Sequence, residues 1–125
     1  MKLHAAPLST LNTVTAYGPG FIEVNQERHG SHLLLTPESL AVWSVADFDA
    51  LTADHFEALL EISPELVILG TGARQRFPHP RLTQGLMRAG IGVEAMDSAA
   101  ACRTYNILMA EGRRVAAAIL VETVS

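Results

Sequence analysis

Residues 96–121, MDSAAACRTYNILMAEGRRVAAAILV, set a helix directly before a buried strand, and that pairing decides the fold class. Asp97 or Ser98 supplies a capping oxygen for a helix that stops near Gly112. Val115 to Val121 is a nearly unbroken apolar run, the composition of a strand buried on both faces. Along the helix, Ala101, Tyr105, Leu108 and Met109 follow the i, i+4, i+7, i+8 spacing of a core-facing stripe. Arg103, Asn106, Ala110 and Arg113 follow i, i+3, i+7, i+10 and line a neighbouring face. Asn is a mediocre residue in a helix interior, because its amide competes for the backbone. Something outside the helix is therefore expected to hold Asn106.

The same alternation extends backward. Ile91 to Met96 reads as a strand, preceded by a helix that Pro80 starts, that runs to about Ala89 and that Gly90 closes. Leu66 to Leu69 is a short, wholly apolar strand ended by Gly70-Thr71-Gly72. Thr52 caps a helix to about Ile62, with Phe56, Leu59 and Leu60 on one side and Asp54, Glu57 and Glu61 on the other. Before Asp49 the chain reads as β: Thr13 to Ala16, a Gly18-Pro19-Gly20 turn, and Phe21 to Asn25. A second hairpin opens with a turn-like Arg28 to Ser31, continues as a strand from His32 to Thr36, breaks at Pro37-Glu38-Ser39, and returns as Leu40 to Val45 with Trp43 inside it. Strand–helix–strand units require crossovers, so the strands after residue 40 form a central parallel or mixed sheet. The N-terminal hairpins lie beside that sheet or stack on it as a second small one. The expectation is a single α/β domain over residues 1–125, with main helices near 52–62, 80–89 and 98–112. The strand at 66–70 is expected to be the most buried, and Trp43 to pack on an apolar surface.

Composition narrows the functional classes. A chain of 125 residues is sized for one domain, and 49% apolar with 18% charged residues argues against disorder. The lone Cys102 excludes an internal disulfide and a cysteine zinc cluster. The first ten residues, MKLHAAPLST, do not read as a signal peptide, and no apolar run approaches a membrane span, so a cytoplasmic protein without membrane insertion is expected. Residues 1–66 hold nine acids against Lys2 and Arg28, a net of −7; residues 67–125 hold four acids against seven arginines, a net of +3; together these make the overall −4. Nucleic-acid binding is disfavoured, since phosphate affinity needs clustered bases. A local anion site in the second half is open, as is structural pairing of its arginines with acids of the first half.

Three blocks in order carry a resemblance: PELVILGTG at 64–72, GIGVEAMD at 90–97 and AACRTYNILMAEGRRVAAAIL at 100–120. With YGPGFIEVN and SHLLLTPESLAVW upstream, nearly the whole chain resembles the Mth938-like domain family, also called domain of unknown function 498. That resemblance implies three layers: a central mixed sheet, helices, and an additional N-terminal β layer. The family includes bacterial and archaeal proteins without assigned function, a mitochondrial complex I assembly factor and an adipogenesis-associated protein. It implies no catalytic residues and no cofactor. No transit segment is evident, so a bacterial, cytoplasmic setting is expected.

Candidate chemistry is sparse. Gly70-Thr71-Gly72 follows a buried strand and can turn backbone N–H groups toward an anion, or can simply make a tight strand exit. GTGARQRF lacks the P-loop spacing and its lysine, and Pro78 and Pro80 interrupt any dinucleotide fingerprint. Should the Arg103 and Asn106 face look toward that loop, with Arg74 or Arg76 at the rim, donors would converge on a small anion; the alternative is a polar network locking the helix to the N-terminal β layer. Cys102 lies early in the helix beside Arg103, a setting that favours thiolate, or is buried and inert. His4, His29, His32, His55 and His79 form no evident metal cluster, and Asp47, Asp49 and Asp54 lack calcium-loop spacing. Lys2 is the only lysine, at the terminus, and no G-x-S-x-G element occurs, so catalysis is not expected. Two functions stay open: a non-enzymatic protein-interaction or assembly-type factor, and the binding or processing of a small anionic metabolite near Gly70–Gly72.

Overall fold

The last strand of the chain lies at the middle of the main sheet. The computed structural model describes residues 10–122; Lys2, His4 and most of the stretch read for a signal peptide lie outside them. Five strands, β4 (Leu33–Thr36), β5 (Ser39–Val42), β6 (Leu66–Thr71), β7 (Gly92–Met96) and β8 (Val115–Leu120), assemble in the order β5-β4-β8-β6-β7. β8 pairs antiparallel with β4 and parallel with β6, so it joins an antiparallel half to a parallel half. β1 (Val14–Gly18), β2 (Phe21–Val24) and β3 (Glu27–His29) form a separate antiparallel sheet.

Strand periodicity divides the core in two. Val115, Ala117 and Ile119 of β8 face the side that also holds Val14, Ile22, Leu35, Ile68, Ala101 and Tyr105. Ala116, Ala118 and Leu120 face Trp43, Phe56, Leu59, Val67, Leu69 and Leu86. α3 (Ser98–Ala110) and the small sheet share the first face; α1 (Ala53–Glu57) and α2 (Pro80–Arg88) cover the second. The result is the three-layer α/β arrangement. Every residue of β8 is buried, whereas Leu66 of β6 is half-buried, so β8 rather than the 66–70 segment is the most enclosed strand. Trp43 is buried, edge-on to Phe56 at 6.4 Å and to His55 at 6.3 Å.

Three elements depart from the sequence reading. The strand expected over 40–45 with Trp43 inside it is Ser39–Val42, so Trp43 follows the strand. The helix expected over 52–62 is α-helical only to Glu57 and continues as a 3₁₀ segment, Ala58–Ile62. Pro64 disfavours right-handed helix at Ser63, which sits at φ 54°, and the last turn tightens accordingly. The segment 28–31 is no turn, because Glu27–His29 is a strand paired with β2. The reversal occurs earlier, at Asn25 and Gln26, with φ of 50° and 72°. Positive φ at both central residues is the hairpin turn that matches strand twist. Asn tolerates that conformation; Gln rarely does, and no glycine marks the site.

Close approach of α3 to the sheet requires Gly70. A Cβ there would meet Ile119 Cγ2 and Ser98 Oγ at 3.0 Å and Ala101 Cβ at 3.1 Å. A methyl group at Gly92 would meet nothing within 4 Å. Gly70→Ala should therefore lower stability by about 1–3 kcal/mol through overpacking. Gly92→Ala should leave it unchanged or slightly raised. Urea denaturation of the two variants beside the wild type checks the difference.

Candidate functional site

The Gly70–Gly72 exit is held by the start of α3. Gly72, at φ 93°, donates its N–H to Ser98 Oγ (2.8 Å) and accepts from the Ser98 N–H (2.9 Å). Ser98 Oγ in turn donates to the Leu120 carbonyl, so one buried hydroxyl ties the ends of β6 and β8 to the helix. Thr71 is also buried; its Oγ1 lies 2.6 Å from the Arg74 carbonyl and 3.0 Å from the Met96 carbonyl, and accepts from the Arg76 N–H at 3.1 Å. The loop is thus closed on itself by a threonine side chain. Arg74 extends into solvent, while Arg76 pairs with Asp49 at 2.7 Å and lies over the Phe48 ring at 4.1 Å.

The polar stripe of α3 serves a different neighbour. Asn106 accepts from the Val14 N–H (2.9 Å) and donates to the Val14 carbonyl (2.8 Å), copying the pairing of a strand neighbour along β1. Thr13, one residue earlier, bonds the other way, to Asn25. The Asn106 amide therefore closes the side of β1 that β2 does not reach. Arg103 donates to the Tyr17 hydroxyl at 2.8 Å, and the buried Tyr105 donates to the Asn12 carbonyl at 2.7 Å. Arg113 pairs with Glu65 at 3.1 Å. Hydrogen bonding from the Arg114 backbone, reinforced by Arg113, holds the Glu65 carboxyl below the usual range.

These placements separate the two halves of the anion reading. Ser98 and Asn106 are eight residues apart, about 12 Å along a helix axis. The Gly72 N–H, the Asn106 amide and a guanidinium N–H of Arg103 already have protein acceptors. A groove of about 290 Å³ runs between Leu11, Pro37, Ile62, Pro64, Met109 and Val115, and a smaller cavity of about 170 Å³ lies between the β1–β2 turn and α3. Neither is lined by Gly70, Thr71, Gly72, Arg74, Arg76, Arg103 or Asn106. Among the described residues, no group of three or more His, Cys, Asp or Glu is placed to hold a metal ion.

Cys102 borders the smaller cavity but is itself buried. Burial pushes its thiol up to about 12, and the nearby Arg103 charge opposes this without overcoming it. Desolvation outweighs the cation and the helix terminus, so the group is a neutral thiol at physiological pH. Sequence reading did not single out Phe77, which is 76% exposed in the loop leading to α2, or Met87, 65% exposed on α2. Neither residue falls in a motif; an exposed aromatic in a loop leaves no periodic signal in the sequence.

Residues 14–120 match the family described as protein of unknown function (DUF498/DUF598). The bovine NADH dehydrogenase [ubiquinone] 1 alpha subcomplex assembly factor 3 is 34% identical over 81% of this chain and 55% of its own length. The chain thus spans about half the length of the curated relatives it matches. The crystal structure of a Bordetella parapertussis protein superposes with a TM-score of 0.87 at 47% identity, covering 93% of this chain and all (100%) of that one. The solution structure of a Bordetella pertussis Mth938-like domain gives 0.83 at 41% identity, covering 100% of this chain and 95% of that one.

Asn106→Ala would leave the Val14 N–H and C=O without partners and should cost about 1–3 kcal/mol, read as a lower urea midpoint. Cys102 should resist a thiol reagent such as dithionitrobenzoate in the native state and react on unfolding. Its folded ionisation lies above the ordinary thiol value of 9.0, so its share of stability is complete below pH 9 and is lost as pH rises toward about 12. Cys102→Ala should flatten that alkaline decline.

Proposed function

Because the chain belongs to the DUF498/DUF598 family of proteins of unknown function, we propose that it works by docking onto another protein, as an assembly-type factor, and not by catalysis. The observation that carries this is the similarity to a complex I assembly factor over 81% of the chain. Several donors that might have cradled a substrate are used within the fold: Asn106 on Val14, Gly72 on Ser98, Arg76 on Asp49. That favours a function carried by the surface. Among the described residues no helix is long and apolar enough to cross a membrane, and large apolar side chains such as Phe77, Met87, Ile107 and Val42 stand exposed. Exposed aromatics flanked by arginine are typical anchors of protein interfaces.

The relatives named as complex I assembly factors suggest the class of partner: a protein subunit handled during construction of a larger complex. The proposed activity is docking onto such a subunit. Chemical cross-linking of the protein in its native cells, followed by mass spectrometry, tests it. The expected outcome is the same partner recovered in independent repeats, with the pair co-migrating on a native gel. Repeated recovery of the uncomplexed protein alone would remove the reading.

A further inference from the structure

One long stretch of this acidic protein, covering α2 and the loop before it, carries charge of a single sign. Residues 66–93 contain no Asp or Glu, yet carry Arg74, Arg76, Arg81 and Arg88. The chain as a whole has net charge −4, so this stretch is an island of opposite sign. Among the described residues Arg76 is paired with Asp49, whereas Arg74, Arg81 and Arg88 form no ion pair. Helical spacing at 81, 84 and 88 puts Arg81, Gln84 and Arg88 in one row, with Met87 alongside. Pro80, Arg81, Gln84, Met87 and Arg88 together line one shallow depression of about 470 Å³. Phe77 stands three residues before Pro80, 76% exposed. Leu82 and Leu86 pack inward on the core, so the row faces away from it. Acids reach its flank: Glu57 of α1 lies against Gly85, and Asp49 holds Arg76.

We propose that this face of α2, Arg81, Gln84, Met87 and Arg88, with Phe77 in the loop that leads to it, docks an acidic segment of a partner protein that also presents an apolar anchor. The inference rests on the docking reading above and names the partner's chemistry. Charge complementarity carries it. Two guanidiniums without an ion pair, Arg81 and Arg88, beside an exposed methionine repel a basic surface and attract carboxylates, while Met87 and, from the preceding loop, Phe77 offer apolar area that a polyanion alone would leave in water. Arginine favours carboxylates through paired hydrogen bonds, which gives orientation as well as attraction.

The test uses a randomised peptide display library selected on the wild-type protein, with R81E/R88E and Phe77→Ser carried in parallel. These side chains are exposed, and superimposable melting curves establish that each variant is folded. Expected are enriched peptides with net negative charge and at least one aromatic or long aliphatic residue. Their affinity should fall about tenfold or more in each variant and weaken as salt is raised. A library without binders, binders without acidic bias, or equal binding to the variants overturns the proposal. Two other occupants are read in the same series. Capture on phosphatidylglycerol vesicles that R81E/R88E abolishes, without acidic peptides enriched, assigns the face to a membrane and overturns the proposal. A concentration-dependent dimer that R81E/R88E disperses assigns it to a second copy and does the same. Failure here stays separable from failure of the docking reading. Cross-links in the native cell that map to other faces remove this surface and leave docking intact; absence of any cross-linked partner removes docking itself.

Discussion

β8 has to satisfy four neighbours at once. It hydrogen-bonds β4 on one edge and β6 on the other, and its side chains enter two separate cores in strict alternation. With no face in water, the strand can carry no polar side chain without a buried partner, and VAAAIL carries none. Its three consecutive alanines are small for a central strand. The smallness of Ala117 suits the close approach of α3 on its face, and the same closeness demands glycine at position 70 of the adjacent strand. Remove β8 and the sheet separates into the β4–β5 hairpin and the β6–β7 pair, neither of which has the burial to stand alone.

α3 is the second hinge of the architecture, and its two ends do different work. Ser98 at its start gathers the exits of β6 and β8. Arg103, Tyr105 and Asn106 further along reach the N-terminal segment, to Tyr17, Asn12 and Val14. The small sheet is attached to the rest through these side-chain bonds and through apolar contact of Val14, Ile22 and Val24 with the first core. One helix thereby couples the layer built from the first residues to the layer built from the last.

Much of this was legible in the sequence because periodicity reports burial. The alternation of apolar strands and capped helices after residue 50 located β6, α2, β7, α3 and β8, and the misfit of Asn in a helix interior pointed to an external partner for Asn106. The identity of that partner was not legible. A side-chain amide is equally suited to a ligand and to a strand edge, and only geometry shows that Asn106 meets the Val14 backbone. Gly70 and Gly72 posed the same ambiguity. Glycine marks close approach or a positive φ as well as anion binding: Ser98, Ala101 and Ile119 crowd Gly70, while Gly72 has open space and sits at φ 93°. Cys102 turned on magnitude: a helix start and an arginine lower a thiol's ionisation, burial raises it, and burial is larger. The Asn25-Gln26 turn went unread because it is made without glycine.

The position of β8 also sets an order of events during synthesis. Residues 33–35 of β4 wait for residues 117–119 to supply their inner partner, and residues 66–71 wait for 115–120. A nascent chain can close the β4–β5 hairpin and the β6–α2–β7 crossover early, since those contacts are local. It cannot seal either core until the segment around residue 120 has left the ribosome. Contacts this distant in sequence make folding slow relative to a helical protein of equal size. Until then the apolar faces of Leu33, Leu35, Val67 and Leu69 stay open to other chains. Delivery of β8 is thus the step on which both cores wait.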